Sequence, residues 1–225
     1  MDTTDRLTVA AAAGDTDLLM DLLSTGIAVD AVDGRGRTAL DRAVWAGATE
    51  AVRLLVAAGA DVEQPIGEYR EDTPLRFAAG RGDLPLAELL LEAGAEPDRR
   101  LHARQASALM VAASAGQGAV AEVLLARGAD LELAAGGRGW TALEWAAHAG
   151  RLEAVCLLLA RGAGRRAEAL AEARQGQASA LAALRAGEYP DEFSPERIAA
   201  YTEVIQALTS AEAAKRPNSG DPEQA

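Results

Sequence analysis

Apolar positions recur along this chain in two alternating patterns. Short runs built on one Leu and several small residues, such as Leu143, Ala146 and Ala147, give way to runs such as Val155, Leu157 and Leu158. Both fit short helices with one buried face. Each first run opens on a hydroxyl residue (Thr38, Thr73, Ser107, Thr141), placed where a side-chain oxygen caps a helix N-terminus. Nine residues later a glycine closes it (Gly47, Gly82, Gly116, Gly150), and a second glycine follows after 12 more (Gly59, Gly94, Gly128, Gly162). Glycine ends helices because it enters the left-handed region without strain. Pro74 stands at a first helical position, and Thr141 with Glu144 matches a capping box.

The four units start 35, 34 and 34 residues apart, and a worn copy with Leu7, Ala11, Gly14 and Gly26 precedes them. A period of this size predicts a stacked array whose core is a line of interfaces, because one unit alone cannot bury its apolar face. The segments between units (30–37, 63–72, 96–106 and 132–140) are rich in Gly and charge, and predict turns or short β-hairpins projecting from one side. After Gly162 the pattern decays. Residues 167–174 and 178–185, parted by Gly176, read as a shortened helix pair ending at Gly187 that caps the array. A break with Pro190 follows at 188–193. A further helix starts at Ser194 and Pro195, with Ile198, Tyr201, Val204, Ile205 and Leu208 on one face. That face either docks on the last unit, the simpler reading, or binds a partner. Residues 214–225 are polar and predict a disordered tail.

These residues carry a resemblance. The Thr-x-Leu-x-x-Ala starts, the paired glycines and the closings Gly59-Ala60-Asp61, Gly94-Ala95, Gly128-Ala129-Asp130 and Gly162-Ala163 resemble ankyrin repeats, strongly over 33–164 and more weakly over 5–187. The resemblance implies an all-α solenoid of stacked helix pairs with short β-hairpin or turn fingers, plus an extra C-terminal helix. Its divisions would be a capping repeat at 1–32, repeats at 33–65, 66–98, 99–132 and 133–164, a degenerate cap at 165–187, a helix within 188–213 and the tail. The family often has His after the Leu. Here Asp41, Arg76, Met110 and Glu144 stand there. Asp41 and Glu144 are able to replace its bonds as capping carboxylates, while Arg76 and Met110 are not, which predicts a less rigid middle of the array.

The family binds proteins through hairpin tips and exposed inner-helix positions lining a concave groove. Carried over by register, the tips are Arg35, Arg37, Tyr69, Arg70, Arg104, Arg138 and Trp140, and the inner-helix positions include Trp45, Arg81 and His148. Trp145 reads as core. Against a net charge of −12, this set is basic and partly aromatic. It suits an acidic partner surface, since Arg pairs bidentately with carboxylates and Trp, Tyr and Arg anchor interfaces. Arg also makes up 21 of 22 basic residues, so its abundance by itself says little.

The acidic balance argues against nucleic acid as partner. No run approaches a membrane span, and the N-terminus lacks a basic segment followed by an apolar one. Cys156 is the only cysteine, so no internal disulfide forms. A cytoplasmic monomer is the default expectation. His102, His148 and Cys156 supply no metal set, and no cofactor is expected. Cys156 falls in register with Arg53, Glu88 and Glu122 on an outer helix, which disfavours a nucleophile paired with His148. The run 136–139 lacks the Gly-Lys-Ser/Thr ending of a phosphate loop. The chain therefore reads as a protein-binding module, with a dedicated inhibitor or immunity-type regulator as the alternative and an enzyme as the least supported reading. Residues 188–225 carry a net −5, which serves solubility or folds back over the basic groove.

Overall fold

A computed structural model describes residues 2–186 and 195–215. Among these the chain is all-α. Its helices run α1 (Thr3–Ala13), α2 (Thr16–Ser24), α3 (Ala39–Ala46), α4 (Thr49–Ala57), α5 (Pro74–Arg81), α6 (Leu84–Glu92), α7 (Ala108–Ala115), α8 (Gly118–Ala126), α9 (Ala142–His148), α10 (Leu152–Ala160), α11 (Arg166–Ala186) and α12 (Pro195–Lys215). Odd-numbered helices stack on one another as an inner layer, and even-numbered helices form an outer layer behind them. The loops before α3, α5, α7 and α9 are four fingers. The second and fourth are closed by single antiparallel bridges, Ile66–Asp72 and Ala135–Trp140.

The repeated residues do what their spacing predicts. Thr38 and Thr73 accept from the N–H groups of Asp41 and Arg76 at 3.1 and 3.2 Å. Gly47, Gly82 and Gly116 end their helices with φ of 68°, 69° and 80°. Leu40, Leu75, Leu109 and Leu143 are all buried, each contributing about 1.5–3 kcal/mol of apolar transfer. Alanines such as Ala78, Ala79, Ala112 and Ala113 are fully buried, and their small side chains let α5 and α7 lie close.

Carboxylates join the units from the other side. Four residues after the second glycine of a unit stands an acid, Asp30, Glu63, Asp98 or Glu132. Each accepts from a backbone N–H of the following unit, at Asp61, Glu96, Asp130 and Gly164, with distances of 3.3, 2.7, 2.9 and 2.6 Å. The loop amides that no helix can satisfy thus find anionic acceptors one repeat away.

The position after the core Leu is filled in four ways. Glu144 caps as expected, taking both the N–H and the hydroxyl of Thr141 on one oxygen, at 2.9 and 3.0 Å. Asp41 does not cap its own helix. It turns to the next finger, where the Gly67 N–H approaches at 3.5 Å. The expected loss of bonding at Arg76 and Met110 does not occur. Asp72 takes the Thr73 N–H at 2.8 Å and holds the Arg76 guanidinium at 2.6 Å. At Met110 the thioether sulfur accepts the Ser107 N–H at 3.4 Å. A neighbouring acid and a soft sulfur acceptor supply what the side chains were expected to lack.

The C-terminus departs from the sequence reading. Residues 166–186 form one unbroken helix, not a pair parted at Gly176. One interior glycine costs about 1 kcal/mol, and the surrounding Ala, Leu, Glu and Arg residues are good helix formers. α11 packs on α9 in the inner layer, while α12 packs on α10 and α11 in the outer one, so together they complete the stack. The apolar face of α12 docks, with Tyr201, Val204 and Leu208 buried. Tyr201 donates its hydroxyl to the His148 carbonyl at 2.6 Å. Its ring fills the space beside Gly176, where an added Cβ would stand 2.6 Å from the ring. Residues 214 and 215 belong to α12, whereas the break at 188–193, the Ser194 cap and the tail from 216 lie outside the described residues.

Two outcomes follow from this packing. Gly176→Ala gains about 1 kcal/mol of helix propensity, but the Tyr201 ring is held between Gly150 and Gly176, so overpacking of about 1–3 kcal/mol wins and the melting temperature falls. In Tyr201→Phe the ring stays, the His148 carbonyl loses its donor, and thermal denaturation shows a smaller loss of about 1 kcal/mol. For the carboxylate joints, Glu132→Ala lowers stability by about 1 kcal/mol while Glu132→Gln, which keeps an acceptor oxygen, lowers it less. Equal losses in the two Glu132 variants, read from urea midpoints, would assign the effect to charge and not to the acceptor.

Candidate functional site

The fingers and the accessible side of the inner helices stand on one side of the array. An arginine stands three residues before the cap in every full repeat: Arg35, Arg70, Arg104 and Arg138. All four are exposed. A second column, five residues before the closing glycine, runs Val9, Arg42, Phe77, Val111 and Trp145 along the inner helices. These are partly or fully accessible and form an apolar strip interrupted by Arg42.

Between the first two fingers lies a groove of about 590 Å³, lined by Arg35, Arg37, Asp41, Arg42, Trp45, Gly67, Glu68 and Tyr69. It brings together four of the residues expected from sequence. Trp45 is 46% exposed and Tyr69 82% exposed. Trp45 rests on Phe77 with ring centroids 4.7 Å apart, and Arg81 lies 5.5 Å from the Phe77 ring. The large exposed apolar side chains of the described residues (Val9, Met20, Val32, Trp45, Tyr69) all fall in the first third of the chain.

Not every predicted tip is free. Arg37 is held by Asp33 in a two-nitrogen contact at 3.0 and 2.7 Å, which braces the first finger. Burial alone would raise the Asp33 pKa. Hydrogen bonds from the Arg37 side chain and from the Arg37 and Arg35 amides outweigh it and bring it down to about 2. Arg70 sits in the left-handed region at φ 54° and donates to the Gly36 carbonyl at 3.2 Å. From there its charge bears on Asp41. Burial raises the Asp41 pKa, opposed by the Gly67 amide and by Arg37, Arg42 and Arg70. Arg165 repeats this arrangement at the last unit, with φ 45°, a bond to the Gly139 carbonyl at 2.8 Å and an ion pair with Glu144 at 3.1 Å.

A second hollow, of about 310 Å³, lies between the third and fourth fingers, against Arg104, Arg138, Trp140 and Trp145. Here the expectation for Trp140 is corrected. Its two bonds to Ala135 turn the side chain inward, leaving it 7% exposed against Trp145 and His148 at 5.3 and 4.8 Å. Arg138 covers the Trp140 ring at 4.8 Å and reaches Glu172 at 3.5 Å. His148 faces the same Glu172 at 3.6 Å. Burial lowers the His148 pKa, with Glu172 opposing and Arg138 adding to the fall. Trp145 packs partly buried against the core as expected and also lines this hollow. Arg42, which lines the groove, and Phe77, against which Trp45 rests, were not among the expected residues, although their common offset from the closing glycine is readable in the sequence.

Among the described residues, no group of three or more His, Cys, Asp or Glu is placed to hold a metal ion, and no helix is long and apolar enough to cross a membrane. Cys156 is exposed on α10.

Family models support this architecture in two stretches. A model described as ankyrin repeats (3 copies) matches residues 75–168, and another, ankyrin repeats (many copies), matches residues 7–56. The chain is 37% identical over 87 residues to a putative ankyrin repeat-containing protein of Treponema pallidum (strain Nichols), covering 39% of this chain and 29% of that one. It is 30% identical over 98 residues to ankyrin repeat and SOCS box protein 3 of Homo sapiens, covering 43% and 19%. It is 37% identical over 91 residues to a B-cell lymphoma 3 protein homolog of Mus musculus, covering 40% and 20%. The matched stretch thus spans less than a third of each of these relatives.

The Asp33–Arg37 brace has a pH signature. A carboxylate whose folded pKa lies at about 2 contributes stability in full above its unfolded value near 4 and loses it as pH falls towards 2. Asp33→Ala is therefore less stable than wild type by about 1–3 kcal/mol at pH 5 to 7, and the difference shrinks as pH falls from 4 to 2. A gap in urea unfolding energies that stays constant over that range contradicts the assignment.

Proposed function

The chain belongs to the ankyrin repeat family, and on that premise we propose that it binds another protein along its concave face, with a preference for an acidic surface. Ankyrin repeats are protein–protein interaction modules. The observation that carries the finer reading is the line of exposed arginines beside Trp45 and Tyr69. Guanidinium groups accept carboxylates in paired hydrogen bonds, and exposed Trp, Tyr and Arg are the side chains that most often anchor interfaces. The rest of the molecule is acidic enough to repel nucleic acid and other polyanions, leaving the face selective for local, patterned negative charge.

In this reading the protein presents and does not catalyse. The inner helices hold the fingers rigidly, so little ordering entropy is lost when a partner seats. The setting is cytoplasmic, where the exposed Cys156 stays reduced.

The full chain, tagged and used as bait in extract from its native cells, is compared with the Arg35→Glu/Arg70→Glu/Arg104→Glu variant. The wild type retains a partner, and the variant recovers about tenfold less or lower still, since each reversal replaces attraction with repulsion. Recovery falls with added salt. Arg70 also supports Asp41, so circular dichroism melts of the variant accompany the capture, and the Arg35→Glu/Arg104→Glu pair repeats it without touching that contact. Undiminished capture by both variants removes the groove from the interface. A one-to-one complex that silences an enzymatic activity of the partner would specify the module as an inhibitor.

A further inference from the structure

We propose that the groove between the first two fingers receives an aromatic side chain of the partner with a carboxylate beside it, seated where the inner layer is packed most loosely. This deepens the acidic-partner reading above and rests on it. Two residues before the closing glycine stand Ala12, Gly80 and Ser114, at the joints of α1 with α3, α5 with α7 and α7 with α9. At the joint of α3 with α5 that place is Trp45. A side chain added at Gly80 would stand 3.1 Å from Val111 on α7, so the place stays small where helices close on each other. Trp45 instead meets Phe77 on α5, ring against ring at 4.7 Å between centroids. α3 and α5 pack much more loosely than the other neighbouring inner helices, and the groove of about 590 Å³ opens at this same joint.

The groove joins flat apolar surface to uncommitted positive charge. Trp45 and Tyr69 both line it and both are exposed. The side chains of Arg35 and Arg42 make no hydrogen bond or ion pair with the described residues, and Arg42 bears on the buried Asp41 only through its charge. Arg70 turns back to the Gly36 carbonyl and so brings its charge beside Arg35. A guanidinium takes a carboxylate in two hydrogen bonds and also stacks on an aromatic face.

An aromatic side chain with an acid next to it uses both capacities and covers the exposed rings. An aliphatic side chain leaves the stacking unused. A dense polyanion meets Asp41 and Glu68 in the same lining, and duplex nucleic acid is opposed further by the net charge of −12. The volume lies within the roughly 300–1,000 Å³ of pockets that enclose a compact group. The hollow between the third and fourth fingers offers no equivalent, because Arg138 covers Trp140 and meets Glu172, and Trp140 is buried.

Three fluorescent peptides on a Gly/Ser background test the assignment. One carries Glu-Phe-Glu at its centre, one is an isomer with Phe moved away from both acids, and one carries Glu-Ala-Glu. By fluorescence anisotropy at low salt, the full chain binds the first about tenfold more tightly than either of the others, the effect of one well-seated aromatic anchor. Trp45→Ala removes that preference. Tyr69→Ala, at a side chain that stands almost wholly in solvent, reduces it with the melting curve kept. Arg35→Glu/Arg42→Glu weakens all three peptides. Equal affinity for the three, or a preference that survives in both Trp45→Ala and Tyr69→Ala, overturns the aromatic insertion, and the acidic-partner reading stands if the charge-reversed variant still weakens them. Affinity that this variant leaves unchanged overturns both. Absence of binding by every peptide, while capture from extract still depends on Arg35 and Arg104, overturns the insertion alone.

Discussion

No helix pair in this protein can be complete alone, and that constraint shapes everything else. A short inner helix carries one core Leu and several alanines, too little apolar volume to enclose a core. Its loops end in amides with no local acceptor. Both deficits are met by the neighbour: Leu and Ala faces close against the next pair, and Asp30, Glu63, Asp98 and Glu132 take amides one unit away. The array must then be ended. At the C-terminus α11 takes the inner place and α12 the outer one, with Tyr201 filling the hollow beside two glycines.

The same constraint explains why net charge misleads about the side that carries the fingers. Many acids are structural acceptors. They join repeats, cap α2 and α6 through Asp15 and Asp83, brace a finger through Asp33, or close α9 through Glu144. Backbone amides need anionic or carbonyl acceptors, and a stack built of loops and short helices has many of them to satisfy. Arginine is not needed for that task, so its side chains are left for the fingers. Some of these acids still draw in an arginine: Asp33 holds Arg37, Asp72 holds Arg76, and Asp41 and Glu144 are approached by Arg70 and Arg165 in left-handed conformations.

Periodicity made the helices, their order, the caps and the buried Leu positions legible, because those depend on local spacing. It also placed the exposed Trp45 and Tyr69 and the line of arginines. What it did not resolve were choices made by contact. Gly176 stays helical within a run of good helix formers, and its missing side chain makes room for the Tyr201 ring, 25 residues away. Trp140 reads as a finger tip, yet it closes the Ala135–Trp140 bridge and is buried against Trp145 and His148, while Trp145, read as core, is only partly buried. Arg37 and Arg35 differ by two positions, yet Asp33 holds only the side chain of the first. The carboxylate joints were readable as an acid four residues past each second glycine, but their purpose appears only once the next unit is in place.

The side that carries the fingers is consequently unequal along its length. Towards the C-terminus its polar groups are already engaged with one another: Arg138 with Glu172 and Trp140, and His148 with Tyr201 through its carbonyl. A partner there must displace contacts that the capping helices help to make. Towards the N-terminus, Arg35, Trp45 and Tyr69 stand open over a braced finger, and the large exposed apolar side chains of the described residues gather in the same third. Binding free energy comes from groups not already paired within the molecule. On the proposed reading the first two fingers are where a partner gains most, while the capped end is tied together by its own contacts.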